Sequence, residues 1–436
     1  MLTNFHGLRF LILLIATLCL TSVLSNMNTY NFTKICIDTR SSHGNFTKSQ
    51  KSWLQSSVAI GSLAASIPYT FAFQKFSHKY SFLSAGAISC VSTALVPWMD
   101  SLGYGWFFTA RIFQGVAFSA TFPLIGSITA RWASLREHGV FIAFLTGNTQ
   151  LSNIFTMPVS GWLCTSSWGW PAVYYVHSVL GLLVFFFFAL IYTDDPEHHF
   201  LVTKKEIAII EADKEETVEV SLDVPYRSIF GSLTLWAVWI AAFGDLIAVQ
   251  LVSMFNPQYM KDYLHYDVLS TGFLAALPII VQFAVKLTAG VTSDVIKCVS
   301  ETAKVRIYNS IALAASALFF IALAFIPQRQ HLLAIIFLVI AESLLGFNTA
   351  GFNKCATLHS RQYGHFVMTQ IMNIWAVTIL VEPFIVNNIV KENTYEDWRN
   401  CFLVHAALLL VVNVVFCVFA DATPASWTAV RETTRC

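Results

Sequence analysis

Charged residues are scarce in this chain. Only 12% of its 436 residues are Asp, Glu, Lys or Arg, whereas soluble domains carry roughly 25%. A formal net charge of +1 gives no electrostatic basis for binding nucleic acid. The sequence also lacks a Gly-rich phosphate loop, a Cys/His metal spacing and a serine nucleophile elbow. These absences argue against an enzyme, an ATP-driven pump, a resident metal and a bound cofactor.

Long hydrophobic runs take the place of that charge, and hydrophobic residues make up 56% of the chain. A run of about 20 apolar residues crosses the ~30 Å hydrocarbon core as a helix. Lipid offers no partners for an open backbone, so each run is expected to be helical. The twelve predicted helices are 9–26, 53–74, 81–99, 105–130, 140–163, 171–192, 232–256, 269–293, 306–326, 332–353, 366–388 and 400–420.

The longest hydrophilic stretch, residues 193–228, divides these helices into two sets of six. We therefore predict an all-α membrane protein with an N-terminal half at 1–192 and a cytoplasmic linker at 193–228. The C-terminal half is predicted at 229–436, with a short cytoplasmic tail. This layout is typical of transporters whose halves move around a site at the membrane midplane. A cleaved signal peptide is the alternative for the first run, but a retained helix gives an even number.

The loops predict an orientation and leave the membrane open. Most loop Lys and Arg residues fall on the side of both termini, which is therefore predicted to be cytoplasmic. Two N-glycosylation sequons, at Asn31 and Asn45, follow the first predicted helix on the opposite side. Three of the nine cysteines, Cys36, Cys164 and Cys401, share that side and leave room for one disulfide. A plasma, lysosomal or vesicular membrane fits equally well.

One arginine interrupts the fourth predicted helix. Arg111 follows the apolar run Trp106-Phe-Phe-Thr-Ala110. An arginine near the middle of a membrane helix costs about 2.5–3.5 kcal/mol, so it normally faces a paired or wet interior. A fixed positive charge beside a cavity is what a protein needs to hold an anion during transport. The alternative is an arginine locked in a structural ion pair.

The fifth predicted helix carries a stripe of polar residues at intervals of three and four, which places them on one helical face. A cavity-lining face would require this spacing, and polar contacts between packed helices are the alternative. Thr149 and Asn153 are the members that we predict to contact substrate together with Arg111. The full stripe is Thr146, Thr149, Asn153, Thr156 and Ser160.

Three carboxylates fall within predicted helices and are candidates for coupling to H⁺ or Na⁺: Asp245, Glu342 and Glu382. A carboxylate removed from water gains by binding a cation, unless a protein cation is near. Lys286, in the eighth predicted helix, is a candidate partner that would neutralise Asp245. Glu382 precedes Pro383 near the outer end, where hydration is the simpler explanation.

Short motifs recur in order along nearly the whole chain. Among them are Ala110-Arg-Ile-Phe-Gln-Gly115, Ala130-Arg-Trp-Ala133, Pro158-Val-Ser-Gly161, Asn256-Pro-Gln-Tyr259 and Gly290-Val-Thr-Ser-Asp294. Together they resemble the anion–cation symporter family of the major facilitator superfamily. The resemblance implies a twelve-helix transporter for small organic or inorganic anions, coupled to protons, sodium or the membrane potential.

Several positions depart from the family's pattern for glutamate transport. The first-helix region Leu24–Tyr30 has no arginine, and Gln55 stands where those transporters have histidine. Phe118 replaces an acidic residue, and Asp245 replaces an arginine of the seventh helix. Glutamate is therefore not the expected substrate.

Charged residues at helix ends are predicted to form gates. Lys75 and Lys79 follow the second predicted helix, and Asp294 ends the eighth within the second loop motif of the superfamily. Such charges close a gate by pairing across the two halves.

The sequence thus predicts a secondary active transporter of a small anion, in a lipid bilayer, with H⁺ or Na⁺ as coupling ion. Two other functions stay open. One is a transporter-shaped protein without transport activity, acting as a sensor or binding partner. The other is an anion facilitator without coupling.

Overall fold

The computed structural model describes residues 7–37, 46–134, 137–211 and 224–428, and the regular elements in these ranges are all helical. Eleven helices within them are long and apolar enough to span a membrane. The fifth predicted helix, 140–163, is present as two shorter helices that meet at Gly147. The prediction of an all-α membrane protein with twelve transmembrane helices is confirmed.

The chain divides into two compact units. The first comprises Met1–Val220 with Asp267–Ala276, and the second comprises Ser221–Tyr266 with Leu277–Cys436. The change of unit after Val220 falls within the predicted linker, 193–228. The segment Asp267–Ala276 groups with the first unit, although its sequence position is in the predicted C-terminal half.

Among the described residues, nine α-helices lie wholly within the first unit. A 3₁₀ turn at Pro196–His198 precedes the last of them. They are α1 Leu8–Ile37, α2 Lys48–Lys75, α3 His78–Leu102, α4 Tyr104–Phe118, α5 Thr121–Trp132, α6 His138–Thr146, α7 Asn148–Thr165, α8 Trp170–Ile191 and α9 Lys204–Glu211.

The remaining nine α-helices include α12, which begins in the segment grouped with the first unit. π-helical turns at Tyr259–Tyr263 and Ile311–Ala315, and 3₁₀ turns at Gly346–Thr349, Arg361–Tyr363 and Ser426–Thr428, complete the described elements. The helices are α10 Tyr226–Phe230, α11 Leu233–Gln258, α12 Val268–Val295, α13 Glu301–Ser310, α14 Ser316–Ala324, α15 His331–Leu345, α16 Phe352–Ser360, α17 Gly364–Ile389 and α18 Tyr395–Phe419.

Helix α1 continues well past its predicted end at residue 26 and reaches Ile37. Asn31 therefore lies inside the helix, where its side chain is 3% exposed and donates to Asn28 Oδ1 at 3.3 Å. A glycan acceptor must be exposed, so the predicted glycosylation of Asn31 is wrong. Asn45, the second predicted acceptor, lies outside the described residues.

A disulfide joins Cys36, near the end of α1, to Cys164, near the end of α7. These are two of the three cysteines that the sequence placed on one side of the membrane. The third, Cys401, is a buried free thiol. Because disulfides persist in oxidising compartments, the bond is consistent with an extracellular or lumenal position for these helix ends.

Candidate functional site

Two glycines bring helices α2 and α4 into backbone contact inside the first unit. A Cβ on Gly115 would lie 1.9 Å from the carbonyl oxygen of Val58, and one on Gly61 would lie 2.0 Å from that of Ile112. Only glycine fits at such an approach, because any Cβ would overlap the facing backbone. Arg111 is one helical turn before Gly115, so this crossing presses its side chain against α2.

The Arg111 side chain is 1% exposed and bonded to three helices. Its Nε donates to the carbonyl oxygen of Leu54 on α2 at 3.1 Å. Its Nη1 donates to the carbonyl oxygen of Met27 on α1 at 2.6 Å and to Gln114 Oε1 on α4 at 2.7 Å. The guanidinium also lies 5.2 Å from the ring centroid of Tyr30, within the range of a cation–π contact.

The charge of Arg111 is not neutralised by an acidic side chain in the described part of the chain. No carboxylate oxygen there lies within 4.0 Å of its guanidinium. Its hydrogen-bond acceptors are two carbonyls and one amide, which solvate the cation without cancelling its charge. The structural ion pair weighed from the sequence is therefore not found among these residues. A buried and uncompensated cation attracts anions strongly, because little water screens it.

A short polar network joins α1 and α7, and it includes the residue of α1 that follows an acceptor of Arg111. Asn28 Nδ2 donates to Asn153 Oδ1 at 3.1 Å, and Asn153 Nδ2 donates to the carbonyl oxygen of Thr149 at 3.2 Å. Met27, the residue before Asn28, accepts from Arg111. Two adjacent residues of α1 therefore bring Arg111 and Asn153 to the same stretch of that helix.

The predicted polar stripe is divided by the break at Gly147. Thr146 lies on α6, where its hydroxyl donates to the carbonyl oxygen of Ile142 at 2.7 Å. The other four members lie on α7, where Asn153, Thr156 and Ser160 are buried and Thr149 is partly exposed. Thr149 contributes its carbonyl to the network, and its hydroxyl donates to Gln150 at 2.6 Å.

In the second unit, Asp245 of α11 is fully buried, with 0% exposure. Its Oδ2 accepts a hydrogen bond from Asn348 Nδ2 at 2.8 Å, whereas its Oδ1 has no hydrogen-bond partner among the described residues. Lys286 of α12 attracts Asp245 electrostatically but makes no ion pair with it within 4.0 Å. The direct pairing considered from the sequence is thus a longer-range attraction.

Glu342 of α15 is 1% exposed and repels Asp245 electrostatically. Its Oε1 accepts from Gln282 Nε2 of α12 at 3.1 Å, and its Oε2 has no hydrogen-bond partner in the described structure. Asp245, Lys286 and Glu342, which come from three separate helices, therefore form one charged cluster.

Glu382 of α17 is fully buried, which corrects the expectation that it is hydrated. Its Oε1 lies 3.0 Å from Nε2 of His405 on α18, and Nδ1 of the same ring lies 2.7 Å from the carbonyl oxygen of Cys401. A carbonyl cannot donate, so Nδ1 carries hydrogen and the Nε2–Oε1 contact shares one further proton. The pair therefore has zero net charge, whichever atom holds that proton.

A family model of the Major Facilitator Superfamily matches residues 9–383. The chain belongs to this superfamily. Sialin of Homo sapiens is 25% identical over 379 residues, which cover 86% of this chain and 76% of sialin. Vesicular glutamate transporter 1 of Bos taurus is 25% identical over 409 residues, covering 90% and 72%. Sodium-dependent phosphate transport protein 1 of Rattus norvegicus is 23% identical over 386 residues, covering 87% and 82%. The predicted resemblance to the anion–cation symporter family is confirmed.

Solved structures of the superfamily share the fold. The crystal structure of a D-xylose-proton symporter matches with a TM-score of 0.75 at 15% identity, covering 95% of this chain and 98% of that one. A bacterial homolog of the human lysosomal transporter Spinster matches with a TM-score of 0.72 at 13% identity, covering 94% and 97%. The family match and the curated relatives, and not these structures, show that the protein is a multi-pass membrane transporter of the secondary type and not an enzyme.

The predicted gate residues of this superfamily member are only partly described. Lys75 is exposed and lies over the ring of Phe71, 4.5 Å from its centroid. The backbone amide of Lys79 donates to Asp194 Oδ1 at 2.9 Å. The side chain of Asp294 lies outside the described residues, although its backbone belongs to α12.

The sequence missed an ion cluster at the start of α1. Arg9 Nη2 lies 2.8 Å from Glu137 Oε1, and its Nη1 lies 3.3 Å from Glu206 Oε1 on α9. The hydrogen bond from the Arg9 guanidinium holds the pKa of Glu137 below its usual range. This cluster joins helices α1 and α9, which the sequence gave no reason to pair.

A second missed ion cluster lies in the second unit. Lys304 Nζ donates to Glu301 Oε1 at 2.7 Å and to the carbonyl oxygen of Ser293 at 3.1 Å. Lys354 Nζ donates to Ser293 Oγ at 2.8 Å. These contacts tie the end of α12 to α13 and α16.

Proposed function

We propose that this transporter moves a small organic or inorganic anion by alternating access, with Arg111 as the group that attracts the negative charge. The observation that carries the proposal is the burial of Arg111 beside Met27 and Leu54 carbonyls, without a carboxylate near it in the described residues. A cation held in this way costs less when an anion occupies the adjacent space.

Asn153 and Thr149 are the proposed polar contacts for the rest of the substrate. The support for Asn153 is its bond to Asn28, one residue from the carbonyl that Arg111 contacts. Among the relatives, one is named a glutamate transporter and another a sodium-dependent phosphate transport protein. Both substrates are anions, which supports the proposed class. The replacements at Gln55 and Phe118 favour an anion other than glutamate.

We further assign coupling to the buried carboxylates. Asp245 and Glu342 are the preferred candidates, because Lys286 leaves one of their two negative charges unmatched. Glu382 remains a candidate, although His405 already balances its charge. Lys75, Lys79 and Asp294 are kept as proposed gate residues. Both termini are proposed to be cytoplasmic, in a plasma, lysosomal or vesicular membrane.

The test is uptake of labelled phosphate, urate, sialic acid and acidic amino acids into proteoliposomes, with proton and sodium gradients imposed separately. Accumulation of one anion against its gradient would establish the class and name the coupling ion. Arg329→Gln, at an exposed loop position, is the matched control for Arg111→Gln. Flux that ignores both gradients would indicate an uncoupled facilitator. Silence across the panel, with ligand-dependent stabilisation of folded protein, would indicate a sensor or binding partner.

A further inference from the structure

Three helices of the second unit place two carboxylates and one ammonium together. Asp245 comes from α11, Lys286 from α12 and Glu342 from α15. The close approach depends on Gly346, where a Cβ would lie 2.8 Å from the carbonyl oxygen of Gln282 and 3.1 Å from the amide nitrogen of Lys286. The cluster is therefore a product of tight packing between α12 and the turn that follows α15.

Both acidic side chains in this cluster are only partly satisfied. Each carboxylate accepts one hydrogen bond from an amide side chain, Asn348 for Asp245 and Gln282 for Glu342. In each, the second oxygen is buried and has no hydrogen-bond partner among the residues described. An ionised carboxylate in that state is costly, because neither water nor a donor stabilises it.

A count of charges shows what is missing. Two carboxylates and one ammonium sum to a net charge of −1, and one more monovalent cation would make the cluster neutral. We propose that Asp245, Lys286 and Glu342 form the binding site for one proton per transport cycle, with Lys286 as its built-in counter-ion. This assignment rests on the proposed function, in which a cation accompanies the anion.

A proton fits this site better than Na⁺ because of the number of ligands that each requires. Hard metal cations need several oxygen ligands, whereas a proton needs one oxygen and forms a covalent O–H bond. The free oxygens of Asp245 and Glu342 each provide such a position.

Four titratable groups on the helices packed against α11 have partners of their own. On α17 and α18, Glu382 and His405 bond each other. On α16, Lys354 donates to Ser293, and Nδ1 of His359 lies 2.8 Å from the carbonyl oxygen of Thr423. Among the charged side chains described, Lys286 attracts Asp245, and Asp245 repels Glu342.

Proton binding can be measured without knowing the anion, by infrared difference spectroscopy of the reconstituted full chain between about pH 8 and about pH 5. The carbonyl-stretch band of a protonated carboxyl reports the site. The wild-type difference spectrum should contain a band equivalent to one protonated carboxyl. Asp245→Asn and Glu342→Gln should each remove this band. Lys286→Met leaves two carboxylates without a counter-ion, so both should bind a proton and the carbonyl-stretch band should double in intensity. Glu392→Gln, an exposed carboxylate, should leave the buried band unchanged.

Three results would overturn the assignment. One is a spectrum that Asp245→Asn and Glu342→Gln both leave unaltered. Another is a band that Lys286→Met does not increase in protein that remains monodisperse. The third is a band that shifts when NaCl replaces choline chloride at constant pH, which would indicate a sodium site instead.

Transport separates this assignment from the proposed function. Proteoliposomes are loaded with each anion of the panel in turn. The Glu342→Gln protein should not accumulate any anion on a pH gradient, but it should still exchange labelled for unlabelled anion. If the wild-type protein shows the infrared band but exchanges no anion, the transport proposal is contradicted and the proton site is still supported. If the Glu342→Gln and Asp245→Asn proteins both still accumulate anion on a pH gradient, the proton-site assignment is contradicted and the transport proposal is not.

Discussion

Replacing Arg111 with lysine separates its charge from its shape. The guanidinium makes three hydrogen bonds, to Leu54, Met27 and Gln114, which lie on three different helices. A lysine ammonium at the end of a flexible stem can reach one of these acceptors, so two bonds are lost. Hydrogen bonds to charged groups contribute about 1.5–3 kcal/mol each, so the loss is about 3–6 kcal/mol. Arg111 is buried, so solvent screening reduces that figure little.

Two measurements distinguish the structural part of this loss from the functional part. Thermal unfolding of the purified protein should show a clear fall in melting temperature for Arg111→Lys. Uptake of the preferred anion should show weaker apparent affinity, because an ammonium cannot bind a carboxylate or phosphate through two parallel bonds. Arg329→Lys, at an exposed position, should change neither quantity. Full transport with unchanged affinity in Arg111→Lys would refute the anion-contact role, whatever happens to the melting temperature.

Three other substitutions test packing, cross-linking and the ion cluster of the first unit. Gly115→Ala should destabilise the protein by about 3 kcal/mol, because its Cβ would lie 1.9 Å from a backbone oxygen of α2. Gly126→Ala should be tolerated in the same melting assay, because the added Cβ would lie within 4 Å of no atom of another described segment. Cys36→Ser should cost about 5 kcal/mol by the loop-entropy relation for a separation of 128 residues. Equal melting temperatures with and without reductant would contradict it. Because the pKa of Glu137 is lowered by Arg9, their ion pair stabilises the fold above the usual carboxyl range and is lost as pH falls through the lowered value. Glu137→Gln should therefore flatten the acid side of a plot of melting temperature against pH, and an unchanged plot would show that the pair is inert.

Hydropathy and motif order were sufficient for the fold, and they failed where polar residues occur inside a helix. The predicted first helix ended at residue 26, because the sequence from Asn26 to Asn31 reads as a polar loop. In the structure these residues remain helical and are buried against neighbouring helices. A polar side chain that faces another helix does not have to match the lipid, and a single sequence does not show which way it faces. The break at Gly147 was also not predicted, because the residues on both sides of it continue the apolar run and the polar spacing of the predicted fifth helix.

The candidate site was predictable in its charges and not in its partners. The burial of Arg111 and Asp245 follows from charged residues lying in apolar runs. The main acceptors of Arg111 are backbone carbonyls, which every residue possesses, so no residue type indicated Met27 or Leu54. His405 was also missed, because the end of α17, a loop and the first part of α18 separate it from Glu382 in the sequence. A lone histidine in an apolar run also has no distinctive spacing. Recognising His405 would have required the contact between α17 and α18.

The anchoring of α9 affects how the protein can be divided into two separately expressed pieces. By sequence, the natural place to cut is the beginning of the hydrophilic stretch at residue 193. Glu206 is fully buried, and both the backbone amide and the guanidinium of Arg9 donate to it. A cut at 193 would place Glu206 and Arg9 on different fragments, although they bond each other in the folded protein. A cut after Glu211 keeps α9 with the fragment that holds its partner, and is the better choice for complementation from two genes.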